Sequence, residues 1–329
     1  MQYRLRSIYW PKDYYNMKRL SDKQLQDWDA FVQSDAPLPS TDLMESILKS
    51  LGIPYTFLTK SFVASLLKNR KPFSHKGTYG HALLIAGNPG KMGAALLAAK
   101  AALRSGVGLL TVAVPEKESS IIHIALPEAM VVFRDVATTV LEQYDAIGVG
   151  PGLGTELKTQ QQIGKLIQQN TRPMVLDADA LNIVSMNQDL LQQFSEGTVL
   201  TPHPKEFDRL FGPSETDFER WQKAIAASQL YNCVVLVKGH FTLIASAGKA
   251  WFNTTGNAGL AKGGSGDVLT GMITALLAQG YSAEAAAMLG VYLHGLAADI
   301  AVESQSIESI LASDLIHSIG KAFLQLRAD

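Results

Sequence analysis

The sequence has 329 residues, with 29 Lys and Arg against 30 Asp and Glu, seven His and one Cys, and a formal net charge of −1. A nearly neutral chain lacks the strongly basic surface typical of nucleic-acid binding, so we expect no nucleic-acid partner. The single Cys excludes a disulfide framework and no apolar run is long enough to cross a membrane, so the composition predicts a cytoplasmic globular protein without a membrane partner.

The first 70 residues differ from the rest of the chain. They are richer in charged, aromatic and Ser residues and lack the later alternation of apolar segments and Gly-rich turns. Helices are predicted over 21–31, with Ser21 and Asp22 as capping candidates, and over 42–50, with Thr41 as the N-cap. We therefore interpret 1–70 as an N-terminal extension and 71–329 as the main domain.

The pattern changes at Gly80. An apolar run at 81–86 predicts a strand, a Gly-rich turn follows at 87–93, residues 94–105 have helical periodicity, and 109–114 predicts a second strand. This order is typical of a βαβ unit.

Further strands are predicted downstream, at 146–149, 173–176, 198–200 and 234–237. Helical patterns lie between several of them, and a long Ala-rich helix is predicted over 282–300. Because parallel strands are joined by crossover helices, the sequence predicts an α/β fold with a mainly parallel central sheet and helices on both faces.

Unusual polar sequences directly follow each of these four downstream strands. They occupy 150–154 (GPGLG), 177–182 (DADALN), 201–206 (TPHPKE) and 238–242 (KGHFT). In an open α/β sheet, ligands bind outside the carboxyl ends of the strands. We therefore expect these loops, together with the turn at 87–93, to converge on one crevice.

Several of these residues also have a purely structural interpretation. The segment 150–154 could be only a tight turn, and Asp177 or Asp179 could cap the next helix. Lys238 could extend from the sheet into solvent, although a Lys-Gly pair after a strand also suits a phosphate.

His203 and Glu206 follow the third of these strands. Two Pro residues stiffen the backbone on either side of His203, and we favour a ligand contact for its side chain. Glu206 could be a first-turn helix carboxylate or an indirect Mg²⁺ ligand, because Mg²⁺ prefers oxygen ligands and keeps much of its water.

The most informative segment is 257–269 (NAGLAKGGSGDVL), a Gly-dense loop that leads into a helical pattern. Glycines allow backbone amides to surround an anion, and the first turn of a helix supplies unpaired donors. Asp267 lies at this junction, so we predict a phosphate-handling site with one carboxylate. The chain has no P-loop motif, and its Gly-rich turn at 87–93 lacks the spacing of a dinucleotide fingerprint. The seven His residues form no zinc motif.

Residues from about 73 to 326 resemble the ribokinase-like NAD(P)H-hydrate dehydratase family. The resemblance is carried, in order, by the motifs at 75–81 (HKGTYGH), 93–95, 105–109, 127–130, 150–154, 177–182, 201–206, 238–242 and 263–269 (GGSGDVL). It implies a three-layer α/β/α sandwich.

The resemblance also implies a repair reaction on damaged nicotinamide cofactors. Hydrated NADH and NADPH (NADHX and NADPHX) would return to the intact cofactors at the expense of ADP or ATP with Mg²⁺, ADP being favoured. The hydroxyl at C6 would be phosphorylated and then lost as phosphate.

The roles implied for individual residues fall into three groups. Asp267 would be the general base. The nucleotide would contact Lys238, Gly239, His240, Phe241, Thr242, Gly264 and Gly266. The hydrated substrate would contact Ala94, Gly154, His203 and Asp267, and Glu206 would hold Mg²⁺ indirectly.

Two alternatives stay open. Vitamin kinases of the same superfamily also have a Gly-rich loop ending in Asp, but their equivalent of His203 is typically Asn. A nucleotide-binding protein without turnover would bind ADP equally well after substitution of Asp267.

The N-terminal segments 17–25 and 40–45 resemble the opening helix of the epimerase domain that precedes the dehydratase in many bacterial repair proteins. Too few residues follow to build the rest of that domain. We therefore interpret 1–70 as a remnant left by internal deletion, the alternative being an unrelated extension that caps a subunit interface. The family resemblance also favours a homo-oligomer.

Overall fold

A ten-stranded sheet lies at the centre of the part of the chain that the structure, a computed structural model, describes. That part comprises residues 55–134 and 141–328, together with 21, 23, 24, 26, 46, 48–50 and 52. The strands are β1 (Tyr55–Phe57), β2 (His81–Ile85), β3 (Leu109–Val114), β4 (Met130–Phe133), β5 (Ala146–Val149), β6 (Met174–Leu176), β7 (Val199–Leu200), β8 (Val234–Val237), β9 (Leu243–Ser246) and β10 (Lys249–Phe252).

The strand order is β1-β10-β9-β8-β7-β6-β5-β2-β3-β4. Neighbours from β8 through β4 pair in parallel, whereas β9 is antiparallel to both β8 and β10. Since β1 pairs in parallel with β10, nine strands run in one direction. Their carboxyl ends therefore share one edge of the sheet.

Ten α-helices have both ends within residues 55–134 and 141–328. They are α1 (Lys60–Leu66), α2 (Met92–Arg104), α3 (Ser119–Ala125), α4 (Leu157–Gln169), α5 (Ala178–Met186), α6 (Pro204–Phe211), α7 (Asp217–Leu230), α8 (Ser265–Ala278), α9 (Ala283–Ala301) and α10 (Ala312–Arg327). None of the described helices is long and apolar enough to cross a bilayer.

The hydrophobic core is divided by the sheet into two layers. In β2, Ala82 and Leu84 belong to the layer that contains buried side chains of α2, α8, α9 and α10. Leu83 and Ile85 belong to the other layer, with α4, α5, α6 and α7. Because alternate side chains of a strand point to opposite faces, one continuous apolar strand supplies both layers. The predicted three-layer α/β/α architecture is confirmed.

Close packing of α8 on α2 fixes the direction of the helix that carries Asp267. A Cβ atom at Gly271 would lie 2.0 Å from the carbonyl oxygen of Ala98. Only a residue without a side chain therefore allows this approach of the two backbones.

Most predicted elements from Gly80 onward agree with the structure. The strands 109–114, 146–149 and 234–237 have the predicted bounds, and the Ala-rich helix begins directly after its cap, Ser282. The helix that Asp177 or Asp179 was expected to cap begins at Ala178, whose φ of 48° is left-handed. A helix that starts at an Ala in this unusual conformation has no start signal that can be recognised in the sequence.

Residues before 71 also contribute to the described fold. β1 extends the sheet beside β10, and Leu48 is fully buried in the core layer of α4–α7. Gln24 donates from its side chain to the Ser50 hydroxyl at 2.8 Å. Most of the predicted helices 21–31 and 42–50, and most of the epimerase-like segments 17–25 and 40–45, lie outside the described residues. The boundary at residue 70 stays a prediction.

Candidate active site

A cavity of about 700 Å³ opens at the carboxyl-terminal edge of the sheet. Its walls come from the loops after β6, β7, β8 and β10 and from the first turn of α8. Of the residues proposed from the sequence, it is lined by His203, Glu206, Lys238, Gly239, His240, Thr242, Gly264, Gly266 and Asp267. The fold thus brings together nine of the proposed residues, which are up to 64 positions apart in the chain (203 to 267).

Gly264 directly precedes α8 as its N-cap residue and determines the position of the helix's first turn at the cavity wall. Its φ of 93° is in the left-handed region, and an added Cβ would lie 2.6 Å from Leu97 Cδ1 and 3.0 Å from Ala312 Cβ. Glycine is therefore required both by conformation and by space. The backbone amides of the first turn have no intrahelical acceptor and are available to an anion.

Asp267 lies in this first turn and is partly buried at the cavity wall. Burial, reinforced by the nearby carboxylates of Asp177 and Asp179, raises its pKa to about 6, although Lys238 opposes the shift. A carboxylate with such a pKa is ionised at neutral pH and is more basic than an ordinary Asp. It can accept a proton from a hydroxyl that is being phosphorylated.

Lys238 is held at the end of β8 by a buried acid. Its Nζ donates to Asp177 Oδ1 at 2.8 Å, and the Thr270 hydroxyl donates to the other carboxylate oxygen at 2.7 Å. Asp177 is 1% exposed, and its side chain makes no capping hydrogen bond to α5. The interpretation of Asp177 as a side-chain cap is therefore wrong. A Cβ at Gly266 would lie 3.4 Å from Lys238 Nζ, so the ammonium lies close to the glycine turn.

His203 and Glu206 form a reciprocal cap at the start of α6. His203 Nδ1 accepts from the amides of Lys205 and Glu206 at 3.1 and 3.3 Å, and Glu206 Oε2 accepts from the His203 amide at 2.9 Å. These donors require an unprotonated Nδ1, so the ring proton lies on Nε2, 3.4 Å from Glu206 Oε1. Burial lowers the pKa of His203 against the influence of Glu206. With its side chain 45% exposed, the neutral ring can still meet a ligand.

His294 was not predicted from the sequence, yet it lines the same cavity. Its Nε2 lies 3.0 Å from the Ser265 carbonyl oxygen and 3.3 Å from the Ser265 hydroxyl. Burial lowers the pKa of His294 to about 4. Through these contacts with Ser265, the neutral ring helps to hold the first turn of α8 in place. A His within an Ala-rich helical pattern carried no signal of this role.

Residues 253–256, the start of the loop after β10, were also missed by sequence analysis. Asp299 of α9 accepts from the Gly256 amide at 2.9 Å and from the Asn257 side chain at 3.0 Å. The Thr255 hydroxyl donates to the Tyr292 carbonyl at 2.8 Å. These bonds fix one wall of the cavity, which continues to Lys262. β10 itself was not predicted, because its four residues contain a Lys and no alternation that distinguishes them from a loop.

Gly154 ends the turn at 150–154 and Ala94 packs against this turn, and neither is among the described residues that line the cavity. A Cβ at Gly152 would lie 3.0 Å from Ala94 Cβ. The Gly154 amide donates to Asp179 Oδ2 at 2.8 Å, and Lys91 Nζ lies 3.8 Å from the same oxygen. Asp179 therefore connects this second group of residues to the start of α5.

Phe241 differs from its neighbours in 238–242. It is 8% exposed and belongs to the core layer of α4–α7. The adjoining Thr242 hydroxyl donates to the Gly239 carbonyl at 3.1 Å and closes the turn. A side-chain contact of Phe241 with a nucleotide is therefore not favoured by this geometry, whereas the turn presents Gly239, His240 and Thr242.

Among the described residues, no three His, Cys, Asp or Glu side chains are placed to hold a metal ion together. Both oxygens of Asp177 have partners, and one oxygen of Glu206 caps α6. A magnesium ion bound at such a site would take most of its ligands from phosphate oxygens and water.

Comparison with known proteins decides the family. The sequence model described as NAD(P)H-hydrate dehydratase matches residues 82–321. The chain belongs to the NAD(P)H-hydrate dehydratase family. The match includes β3 to β10, all but the first residue of β2, the five strand-end loops and the glycine turn before Asp267.

Relatives in this family fall into two lengths. The ADP-dependent (S)-NAD(P)H-hydrate dehydratase of Bacillus subtilis is 40% identical over 280 residues, covering 81% of this chain and 98% of the relative. The bifunctional NAD(P)H-hydrate repair enzyme of Moorella thermoacetica is 39% identical over 275 residues, covering 79% of this chain and 52% of the relative. The chain spans about half the length of the bifunctional relatives it matches.

A solved structure of this family also resembles the chain. The ADP/ATP-dependent NAD(P)H-hydrate dehydratase from Bacillus subtilis, co-crystallised with ATP and Mg²⁺, superposes with a TM-score of 0.75 at 35% identity. The superposition covers 84% of this chain and 99% of the other.

Proposed function

We propose that this chain dehydrates NADHX and NADPHX to NADH and NADPH, with ADP or ATP as the phosphoryl donor. The observation that carries the proposal is the position of Asp267. It combines a raised pKa with a place in the glycine turn that opens α8, in the cavity that also contains Lys238. The named activities of the Bacillus subtilis relative and of the co-crystallised dehydratase support it.

The proposed reaction uses phosphate as a leaving group, because hydroxide leaves poorly. The substrate hydroxyl at C6 attacks the terminal phosphorus of ADP, AMP departs, and Asp267 accepts the hydroxyl proton. Loss of phosphate from C6 and of a proton from C5 then restores the ring double bond. The balance is NADHX and ADP to NADH, AMP and phosphate.

The chain's residues would stabilise the transferring group electrostatically. The amides of Gly264 to Gly266 and the Lys238 ammonium are preorganised around the place where negative charge accumulates. Asp177 holds that ammonium in position and partly offsets its charge. Mg²⁺, when bound, would neutralise charge on the phosphates.

Ala94, Gly154 and His203 are proposed to contact the nicotinamide substrate. The group around Gly154 adjoins Asp179, which also influences Asp267. This proximity supports a substrate subsite next to the phosphoryl site.

The test follows the absorbance of reduced nicotinamide after mixing the protein with NADHX, Mg²⁺ and either ADP or ATP. We expect recovery of absorbance, faster with ADP, and near-complete loss of it in Asp267→Ala. A phosphorylated product that accumulates without recovery would favour a vitamin-type kinase instead. Tight ADP binding without turnover in both wild type and Asp267→Asn would favour a binding protein.

We also infer that residues 1–70 no longer provide epimerase activity, that the chain works in the cytoplasm, and that it is a homo-oligomer. Incubation with the R epimer alone tests the first inference. Enzymatic formation of the S epimer, above the spontaneous rate, would contradict it. Fractionation of the native cell and light scattering of the purified protein test the other two.

A further inference from the structure

A second cavity lies at the amino-terminal edge of the parallel strands. The candidate active site lies at the opposite, carboxyl-terminal edge of the same sheet. It has a volume of about 490 Å³ and lies where α2 and α8 end. Five cationic side chains line it and none of its described lining residues is acidic. These cations are Lys68, Arg70, Lys71, Arg104 and Arg327. Because the whole chain has a net charge of −1, this positive charge is a local feature.

Two of these cations are held by helix ends and aromatic rings. Arg70 donates to the Gly106 carbonyl oxygen after α2, with its guanidinium 3.8 Å from the Tyr79 ring centroid. Lys68 Nζ donates to the Gly280 carbonyl at 2.6 Å after α8. Carbonyl groups at a helix end carry only a partial negative charge, so these contacts leave most of the positive charge uncompensated.

The positive charges of the other three cations are compensated even less by neighbouring groups. Arg327 donates to the Asn69 side chain at 3.2 Å and to the Lys68 carbonyl at 3.3 Å. The side chains of Lys71 and Arg104 make no hydrogen bond or ion pair with any residue in 55–134 or 141–328. Stabilisation of helix ends therefore explains part of the cluster but not these two side chains.

Ser105 provides an independent observation. It lines this cavity next to Arg104, is 3% exposed, and its hydroxyl oxygen has no hydrogen-bond partner among the described residues. A buried hydroxyl without a partner destabilises a protein unless a ligand or water pairs with it. An anion oxygen held by Arg104 would supply the missing acceptor.

The remaining lining includes Phe323 and the rings of Tyr79 and Tyr281, each of which has one face covered by Arg70 or Lys68. We propose that this cavity binds a small organic phosphate, whose phosphate group is held by Ser105, Arg104 and Lys71 and whose ring packs on the aromatic side chains. Guanidinium groups bind phosphate oxygens through paired hydrogen bonds, and aromatic faces accept a planar ring. This inference is independent of the proposed dehydratase activity.

The probe is phenyl phosphate, with inorganic phosphate as the ligand without a ring, and binding is measured by titration calorimetry on the full chain. We expect saturable binding of phenyl phosphate to wild type. Lys71→Gln combined with Arg104→Gln should weaken it at least tenfold. The matched control, Lys117→Gln with Lys165→Gln, removes two exposed charges elsewhere and should leave the affinity unchanged.

Two further variants separate this site from the active site and from the fold. Lys238→Gln should keep the phenyl phosphate affinity, and the Lys71/Arg104 variant should keep NADHX turnover. Ser105→Ala removes an unpaired hydroxyl, so its thermal midpoint without ligand should be unchanged or higher while its affinity falls severalfold. Loss of binding in Lys238→Gln, equal binding in the Lys71/Arg104 variant and its control, or no saturable binding would overturn the proposal. Equal affinity for inorganic phosphate would overturn the role assigned to the ring.

Discussion

Asp177 Oδ1 lies 2.8 Å from Lys238 Nζ, where the loop after β6 contacts the loop after β8 near Asp267. The pair affects Asp267 in opposite directions, because Asp177 raises the pKa of Asp267 and Lys238 lowers it. A phosphoryl-transfer site needs a cation close to the phosphate and a base that is still able to accept a proton. A partly exposed Lys backed by a fully buried Asp meets both needs.

Replacement of Asp177 by Asn should separate these two effects. Activity in wild type should rise with pH through an apparent pKa of about 6, as Asp267 loses its proton. In Asp177→Asn the midpoint should move to lower pH because a nearby negative charge is gone, and the maximal rate should fall at least tenfold because Lys238 loses its anchor. The measurement is the pH profile of kcat/KM for NADHX.

Stability provides the control for this variant. We expect Asp177→Asn to lower the free energy of unfolding by about 1–2 kcal/mol, since it leaves a partly buried ammonium unpaired. Glu196→Gln removes an exposed carboxylate and should change neither stability nor the profile. A profile of Asp177→Asn with an unchanged midpoint would contradict the coupling between Asp177 and Asp267.

Asp267 should reduce stability at neutral pH. Its pKa of about 6 in the folded protein is above the ordinary value of 3.8, so the folded state binds this proton more tightly than the unfolded state. Stability from this group therefore falls as pH rises from about 4 to 6, and the deficit persists at pH 7. Asp267→Asn should raise the free energy of unfolding at pH 7, on the order of 1–3 kcal/mol, while abolishing activity. Urea unfolding at pH 7 and pH 4 measures this, and a gain as large at pH 4 would argue against ionisation as its cause.

The sequence predicted β2, β3, β5, β6, β7 and β8, the central parallel strands, because a strand covered by helices on both faces is almost continuously apolar. β1, β9 and β10 at one side of the sheet and the short edge strand β4 at the other were not predicted. Site residues that adjoin a glycine turn or follow a strand, such as Lys238 and Asp267, were recognisable from position. Thr270, His294 and Asp299 were not, since they support the site from within helices and their partners come from distant segments.

Glu206 has two roles to separate: it caps α6, and it is proposed to contact Mg²⁺ through water. In Glu206→Gln the amide oxygen can still accept from the His203 amide, so the thermal midpoint should change little. The carboxylate charge is lost, however, and the Mg²⁺ concentration needed for half-maximal activity should rise several-fold. Turnover measured against Mg²⁺ in this variant and in Glu196→Gln tests the role. An unchanged Mg²⁺ requirement would leave Glu206 with the cap alone.

Gly263 and Gly264 form a matched pair for the glycine turn. A Cβ at Gly263 would meet no atom within 4 Å, whereas one at Gly264 would crowd Leu97 and Ala312 at a φ of 93°. Gly264→Ala should therefore lose about 1–3 kcal/mol of stability and most of its activity, because the first turn of α8 must shift. Gly263→Ala should retain both. Equal effects in the two variants would show that loop flexibility, rather than the backbone geometry at Gly264, limits the site.

His294 should make the protein sensitive to acid. Its pKa is about 4 in the folded state and the ordinary value is 6.5, so between these pH values the unfolded chain binds a proton that the folded protein excludes. Stability from this group is complete above pH 6.5 and falls as pH decreases towards 4, by about 2 kcal/mol at pH 5. His294→Gln can keep a donor to the Ser265 carbonyl but cannot titrate. The difference in unfolding free energy between pH 7.5 and pH 5 should shrink by this amount in His294→Gln and remain unchanged in the exposed control His317→Gln. Because Asp267 titrates in the opposite sense over the same range, the comparison between variants, rather than the slope of wild type alone, isolates the imidazole.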